Sequence, residues 1–197
     1  MGPMDHPVFG NTWMAWNLFL ALIPAALALG LFRRGARRTV LWWVGLATFI
    51  AFLPNAAYVL TDAIHLPDDL RLAYPDPVLT SAVLGSYAAF AAIGFTAYAF
   101  SVLRLMDYLR AQGLGGGALL ATELSVHLLV TVGVVLGRVF RFNSWDLVAR
   151  PDEVLAAVRI PQTERGITVV ALFLATLVAG TLVVRWATVA LRRRPRS

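Results

Sequence analysis

Apolar side chains along this chain gather into five long runs, Trp13–Phe32, Val40–Leu60, Val78–Leu103, Ala118–Gly137 and Ile167–Leu191. Each run is about 20 residues or longer. That is what a helix rising about 1.5 Å per residue needs to cross about 30 Å of hydrocarbon. Hydrocarbon offers no partner to a bare N–H or C=O, and a helix satisfies these groups internally. The pattern predicts an all-α, polytopic integral membrane bundle of about five transmembrane helices, a single membrane domain over residues 1–197. Trp13 and Trp16, Trp42 and Trp43, and Trp186 sit near run ends, where interfacial belts form. The arginines follow the first run rather than preceding it, the charge order of a retained anchor and not of a cleaved signal.

Composition agrees with a membrane class. The chain is 59% hydrophobic and 14% charged, with mean hydropathy +0.71, whereas soluble domains carry roughly 25% charged residues. Cysteine is absent, which excludes disulfides and thiolate metal sites. All 17 basic residues are arginine. The guanidinium fork suits phosphate and carboxylate, although a compositional bias explains the missing lysine equally well.

The net charge of +6 is no signature of nucleic-acid binding, because the arginines sit beside spans. Arg33, Arg34, Arg37 and Arg38 follow the first run, Arg104 and Arg110 lie between the third and fourth, and Arg192, Arg193, Arg194 and Arg196 follow the last. An odd number of spans puts all three groups on one side, and short arginine-rich loops stay cytoplasmic. The expectation is N-out, C-in, in the cell (inner, cytoplasmic) membrane. The loop Thr61–Pro77 is then outside, with Asp62, Asp68, Asp69 and Asp76 against Arg71. Residues 138–166 disturb the pattern, since Arg138, Arg141, Arg150, Arg159 and Arg165 also fall outside. An ion pair from Arg138 or Arg141 to Asp62 would account for part of that excess.

Chemistry-bearing residues gather in three places. On the fourth run, at about 100° per residue, His127, Thr131, Arg138 and Arg141 fall within about 80° of Glu123, forming one polar stripe. Glu123 and His127 are one turn apart and can touch, as a proton shuttle or as polar glue between helices. The second run ends in FLPNAAYVLTDAIHL, where Pro54 is expected to interrupt the helix and Asn55, Tyr58, Asp62 and His65 share a face. Asp62 and His65 are the candidate acid and base. The segment RFNSWD follows the fourth run and adds Arg141, Asn143 and Asp146. With Asn17, Asn55, Tyr58 and Arg138 these make a candidate substrate-binding set near the outer face. Two ligands are too few for a metal, so no metal and no cofactor is expected.

Among the connecting segments, QGLGGG (residues 112–117) reads as a flexible hinge. Pro151-Asp152-Glu153 starts a short amphipathic helix whose Val154, Leu155, Val158 and Ile160 would rest on the outer membrane surface. Gly85, Ala88, Ala89 and Ala92 give the third run a small-residue face suited to a homo-oligomer. The lipid bilayer is the one certain surrounding, and no nucleic acid is expected.

WNLFLALIP, FLPNAAYVLTDAIHL and GRVFRFNSWDL together resemble a family of small bacterial and archaeal multi-pass proteins catalogued as domain of unknown function 1361. The likeness covers roughly Trp13 to Leu191, and Asn17, Asn55, Asp62, His65, Arg138, Asn143 and Asp146 match its polar positions. It implies a membrane protein and supplies no activity. Three functions remain open: action on a lipid or other anionic substrate, a transporter or proton-coupled permease subunit, and a non-catalytic assembly or structural partner.

Overall fold

A computed structural model describes residues 12–139, 142, 149–158 and 164–192, and these are helical apart from short turns. Long helices are α1 (Thr12–Leu31), α2 (Val40–Tyr58), α4 (Pro77–Ala111), α5 (Gly116–Val139) and α7 (Glu164–Arg192). Between them lie a 3₁₀ turn (Val59–His65) and the short helices α3 (Leu66–Ala73) and α6 (Pro151–Val158). Five helices are long and apolar enough to cross a membrane. The protein is a helical membrane bundle.

Helix α4 is the hub: it packs on α1, α2, α3, α5 and α7. At 35 residues it is about 52 Å long, well beyond the predicted Val78–Leu103. Its first turn is fixed by Asp76, whose carboxylate accepts from the N–H groups of Val78 (2.8 Å) and Leu79 (3.2 Å), with Pro77 at the first helical position. Its last turn closes when Leu114 N–H reaches Leu109 O at 3.2 Å across Gly113 in the left-handed region (φ 93°). The segment expected to be a hinge is therefore a tight, hydrogen-bonded turn.

At the arginine-rich end an aromatic cluster ties three helices. Phe32 packs on Phe49 (ring centroids 5.0 Å) and Tyr108 (5.6 Å). The Trp42 indole N–H donates to Leu31 O at 3.0 Å, satisfying a carbonyl that the end of α1 leaves open.

Three further expectations need correction. Pro54 does not break α2, which continues to Tyr58 and passes directly into the 3₁₀ turn. The proline removes one donor, but packing holds the helix: a Cβ on Gly133 of α5 would lie 2.8 Å from Pro54 Cγ. Residues 61–77 are not an open loop, since the 3₁₀ turn and α3 occupy most of them. Tyr87 of α4 pins α3 by donating to Asp69 at 2.9 Å. Finally, α6 forms where expected but turns Val154 into the protein and packs against α5. The small face of Gly85, Ala88, Ala89 and Ala92 lies exposed on α4.

Candidate functional site

The polar face of α5 meets the rest of the bundle at two depths. At the end away from the arginine-rich loops, Asp62 is 1% exposed in the 3₁₀ turn. A buried carboxylate needs donors, and two come from other helices. Asn17 Nδ2 of α1 donates at 3.0 Å, and Arg138 Nη2 of α5 makes an ion pair with the same carboxylate. Arg138 uses its remaining faces as well. Its Nε donates to Thr61 Oγ1 at 2.8 Å, and its guanidinium lies over the Tyr58 ring, 4.2 Å from the centroid.

This approach requires glycine on α5. A Cβ on Gly137 would come within 3.0 Å of Tyr58 Cε2, just as Gly133 admits Pro54. Gly133 and Gly137 form a G-x-x-x-G pair, the spacing that lets two membrane helices close together. The motif was legible in the sequence, although the small-residue face on the third run was the one singled out.

Of the residues expected in one pocket, Asn17, Tyr58, Asp62 and Arg138 come together. Asn55 is near them: with Asn17, Leu20 and Tyr58 it lines a cleft with space for about one water molecule, and its Nδ2 donates to Phe52 O at 3.3 Å. His65 is not brought in. It is exposed and packs against Trp13 (ring centroids 5.2 Å), and no ion pair joins it to Asp62 among the described residues. The cause is local: past Val59 the helix tightens, and His65 falls where the 3₁₀ turn hands over to α3. Arg141, Asn143 and Asp146 lie outside the described residues.

The second cluster lies further along α5. Glu123 Oε1 accepts from Arg185 Nη2 of α7 and stands 3.9 Å from His127 Nε2. On its other edge, His127 Nδ1 shares a 2.6 Å hydrogen bond with the Tyr98 hydroxyl of α4. Both rings are buried, His127 at 1% and Tyr98 at 0% exposure. The Thr131 hydroxyl donates to His127 O at 2.8 Å. Arg185 and Tyr98 were missed from sequence. Arg185 carried a signal, as the one charged residue between Ile167 and Leu191; Tyr98 did not stand out from the aromatics around it. No group of three or more His, Cys, Asp or Glu side chains able to hold a metal occurs among the described residues.

Chemically, the first cluster is a closed set: Asp62 and Arg138 satisfy each other and leave little room for a guest. The second joins two bonded pairs, Arg185–Glu123 and His127–Tyr98, whose facing members Glu123 and His127 stand 3.9 Å apart between α4, α5 and α7. The family model described as "Protein of unknown function (DUF1361)" matches residues 16–179. The chain belongs to that family. Its matched segment holds Asn17, Asp62, Tyr98, Glu123, His127 and Arg138, while Arg185, the partner of Glu123, falls beyond it. No curated protein and no solved structure matches the chain.

Proposed function

We propose that this protein is a non-catalytic membrane assembly or structural partner whose buried ion pairs specify how its helices pack. The observation that carries this reading is the commitment of Asp62: its carboxylate is held by Asn17 and Arg138, beside a cleft with space for about one water molecule. A general base needs a free acceptor within reach of its substrate, and an anion-binding arginine needs a free fork. A lipid-directed enzyme at this site would have to open both.

The test is lipid profiling of cells producing the wild type or Asp62→Asn, with the folded state of each checked by size-exclusion chromatography. Unchanged profiles are expected in both. A lipid species that depends on the wild type and disappears in a folded Asp62→Asn protein would overturn the reading. The natural home of such a bundle is the cytoplasmic membrane, oriented N-out and C-in. With no native cysteine, single-cysteine labelling can read this cleanly. Gly115→Cys should react only after permeabilisation, and Asp68→Cys in intact cells.

One observation favours a second reading, a proton-coupled permease subunit. His127 is bridged to Tyr98 and stands beside Glu123 within the span, and such chains relay protons. Proteoliposomes holding a pH-sensitive dye would show wild-type flux abolished by Glu123→Gln. Equal flux through both proteins would remove this reading.

A further inference from the structure

We propose that the turn joining α1 and α2 is a binding site for anionic phospholipid headgroups, formed by Arg33, Arg34 and Arg37. Four arginines stand in this turn, and they divide by what they touch. Arg38 is committed to the fold: its Nε donates to the Tyr108 hydroxyl at 3.2 Å and its Nη2 to Gln112 Oε1 at 3.3 Å. Its guanidinium also lies over the Trp42 ring, 5.8 Å from the centroid. Arg33, Arg34 and Arg37 are exposed, and none of them pairs with a carboxylate among the described residues. Asp107, the one described acidic residue at this end outside the Glu123 cluster, already pairs with Arg110 at 2.9 Å. Three cations therefore remain uncompensated by the described residues.

The turn holds them in place. Ala36 N–H reaches Arg33 O at 3.3 Å and Thr39 N–H reaches Arg37 O at 2.9 Å. Gly35 adopts φ 75°, a conformation other residues rarely take, and Ala36 packs against the core. The inward residues anchor the loop while the three guanidinium groups face out. Depth follows from what comes next in the chain: Val40 is 82% and Leu41 79% exposed. Apolar side chains left this bare at the first turn of a membrane helix are covered by lipid, which sets the adjoining turn at headgroup level. There the fork of arginine matches phosphate oxygens in two-pronged fashion. A cluster of this kind beside a span attracts anionic lipid, each arginine contributing about a five-fold gain in affinity.

The site is tested on the full chain in nonionic detergent by titrating short-chain fluorescent phosphatidylglycerol, with phosphatidylcholine as the zwitterionic comparison. Wild type should prefer phosphatidylglycerol, and Arg33→Gln/Arg34→Gln/Arg37→Gln should weaken its binding on the order of 100-fold. Arg71→Gln, at the opposite end and paired with Asp68, should bind like wild type. Arg38 is left intact because it holds the fold, and the triple variant should melt like wild type without lipid. Wild-type affinity in the triple variant, or equal affinity for the two lipids, would overturn the proposal. Competition by inorganic phosphate as effective as that of the lipid would also overturn it, since the turn would then be a free-anion site.

Discussion

The two charge clusters on α5 use the same chemistry at different depths, and the difference lies in what surrounds the carboxylate. Asp62 sits at a helix end, where a 3₁₀ turn lets a second helix supply Asn17 and a third supply Arg138. Glu123 sits inside its span, with Arg185 as its one ion-pair partner of fixed charge among the described residues and the neutral-capable His127 and Tyr98 behind it. Asp62 is buried more fully than Glu123, 2% against 12% side-chain exposure, and a carboxylate so buried needs several donors at once. Inside the span, a cost of about 3 kcal/mol or more per charge favours one tight pair, with polarity passed on through groups that can stay neutral. The shallow cluster therefore reads as a lock, and the deep one as a tether for α7.

The largest effect should come from unlocking the shallow cluster. Arg138→Gln leaves Asp62 buried with only Asn17 and should lower stability in detergent by about 3 to 5 kcal/mol. Asp62→Asn/Arg138→Gln should cost no more than Arg138→Gln alone, because the second change removes the stranded carboxylate charge. Fully additive losses in unfolding titrations would show that the two residues are not a lock. Gly133→Leu comes next. Its side chain meets Pro54 at a distance that leaves even a Cβ no space, and overpacking of this kind costs about 1 to 3 kcal/mol. Gly85→Leu, on the exposed face of α4 where a Cβ meets nothing within 4 Å, should change monomer stability by less than about 0.5 kcal/mol. A reversed order of the two glycines would refute the α2–α5 contact.

Smaller effects separate the clusters by region. Glu123→Gln weakens the bond to Arg185 and should cost about 1 to 2 kcal/mol. Hydrogen exchange should rise in α7 and remain unchanged in α1 and α2, because among the described residues α7 packs chiefly on α4 and α5. A rise spread evenly over the bundle would mean that the deep cluster is no local tether. The smallest loss among the cluster substitutions should come from Tyr98→Phe, which removes one hydrogen bond to His127 and should cost about 0.6 kcal/mol in thermal melts. A loss as large as that of Arg138→Gln would place the lock at the wrong depth.

Sequence alone determined a good deal of this protein. The five spans were legible because the hydrocarbon core imposes a fixed length and excludes open backbone, so each segment answers to its own composition. The polar stripe of α5 was legible for a related reason, since helical spacing alone places Glu123, His127, Thr131 and Arg138 on one side. Meetings between helices could be expected only by charge. Asp62 with Arg138 is such a meeting, because both stand at the same end of neighbouring spans. His65 looked equivalent to Asp62 until the helix tightened at Val59, a local change of pitch that turns one side chain inward and the other toward solvent. Arg185 with Glu123, and Tyr98 with His127, depended on which faces of α4 and α7 turn toward α5. That rotation is set by close packing, by Gly133 and Gly137 against α2 and by Gly180 against Phe95. Pairwise shape fit of this kind is a property of two surfaces together, so only the tertiary structure could decide it.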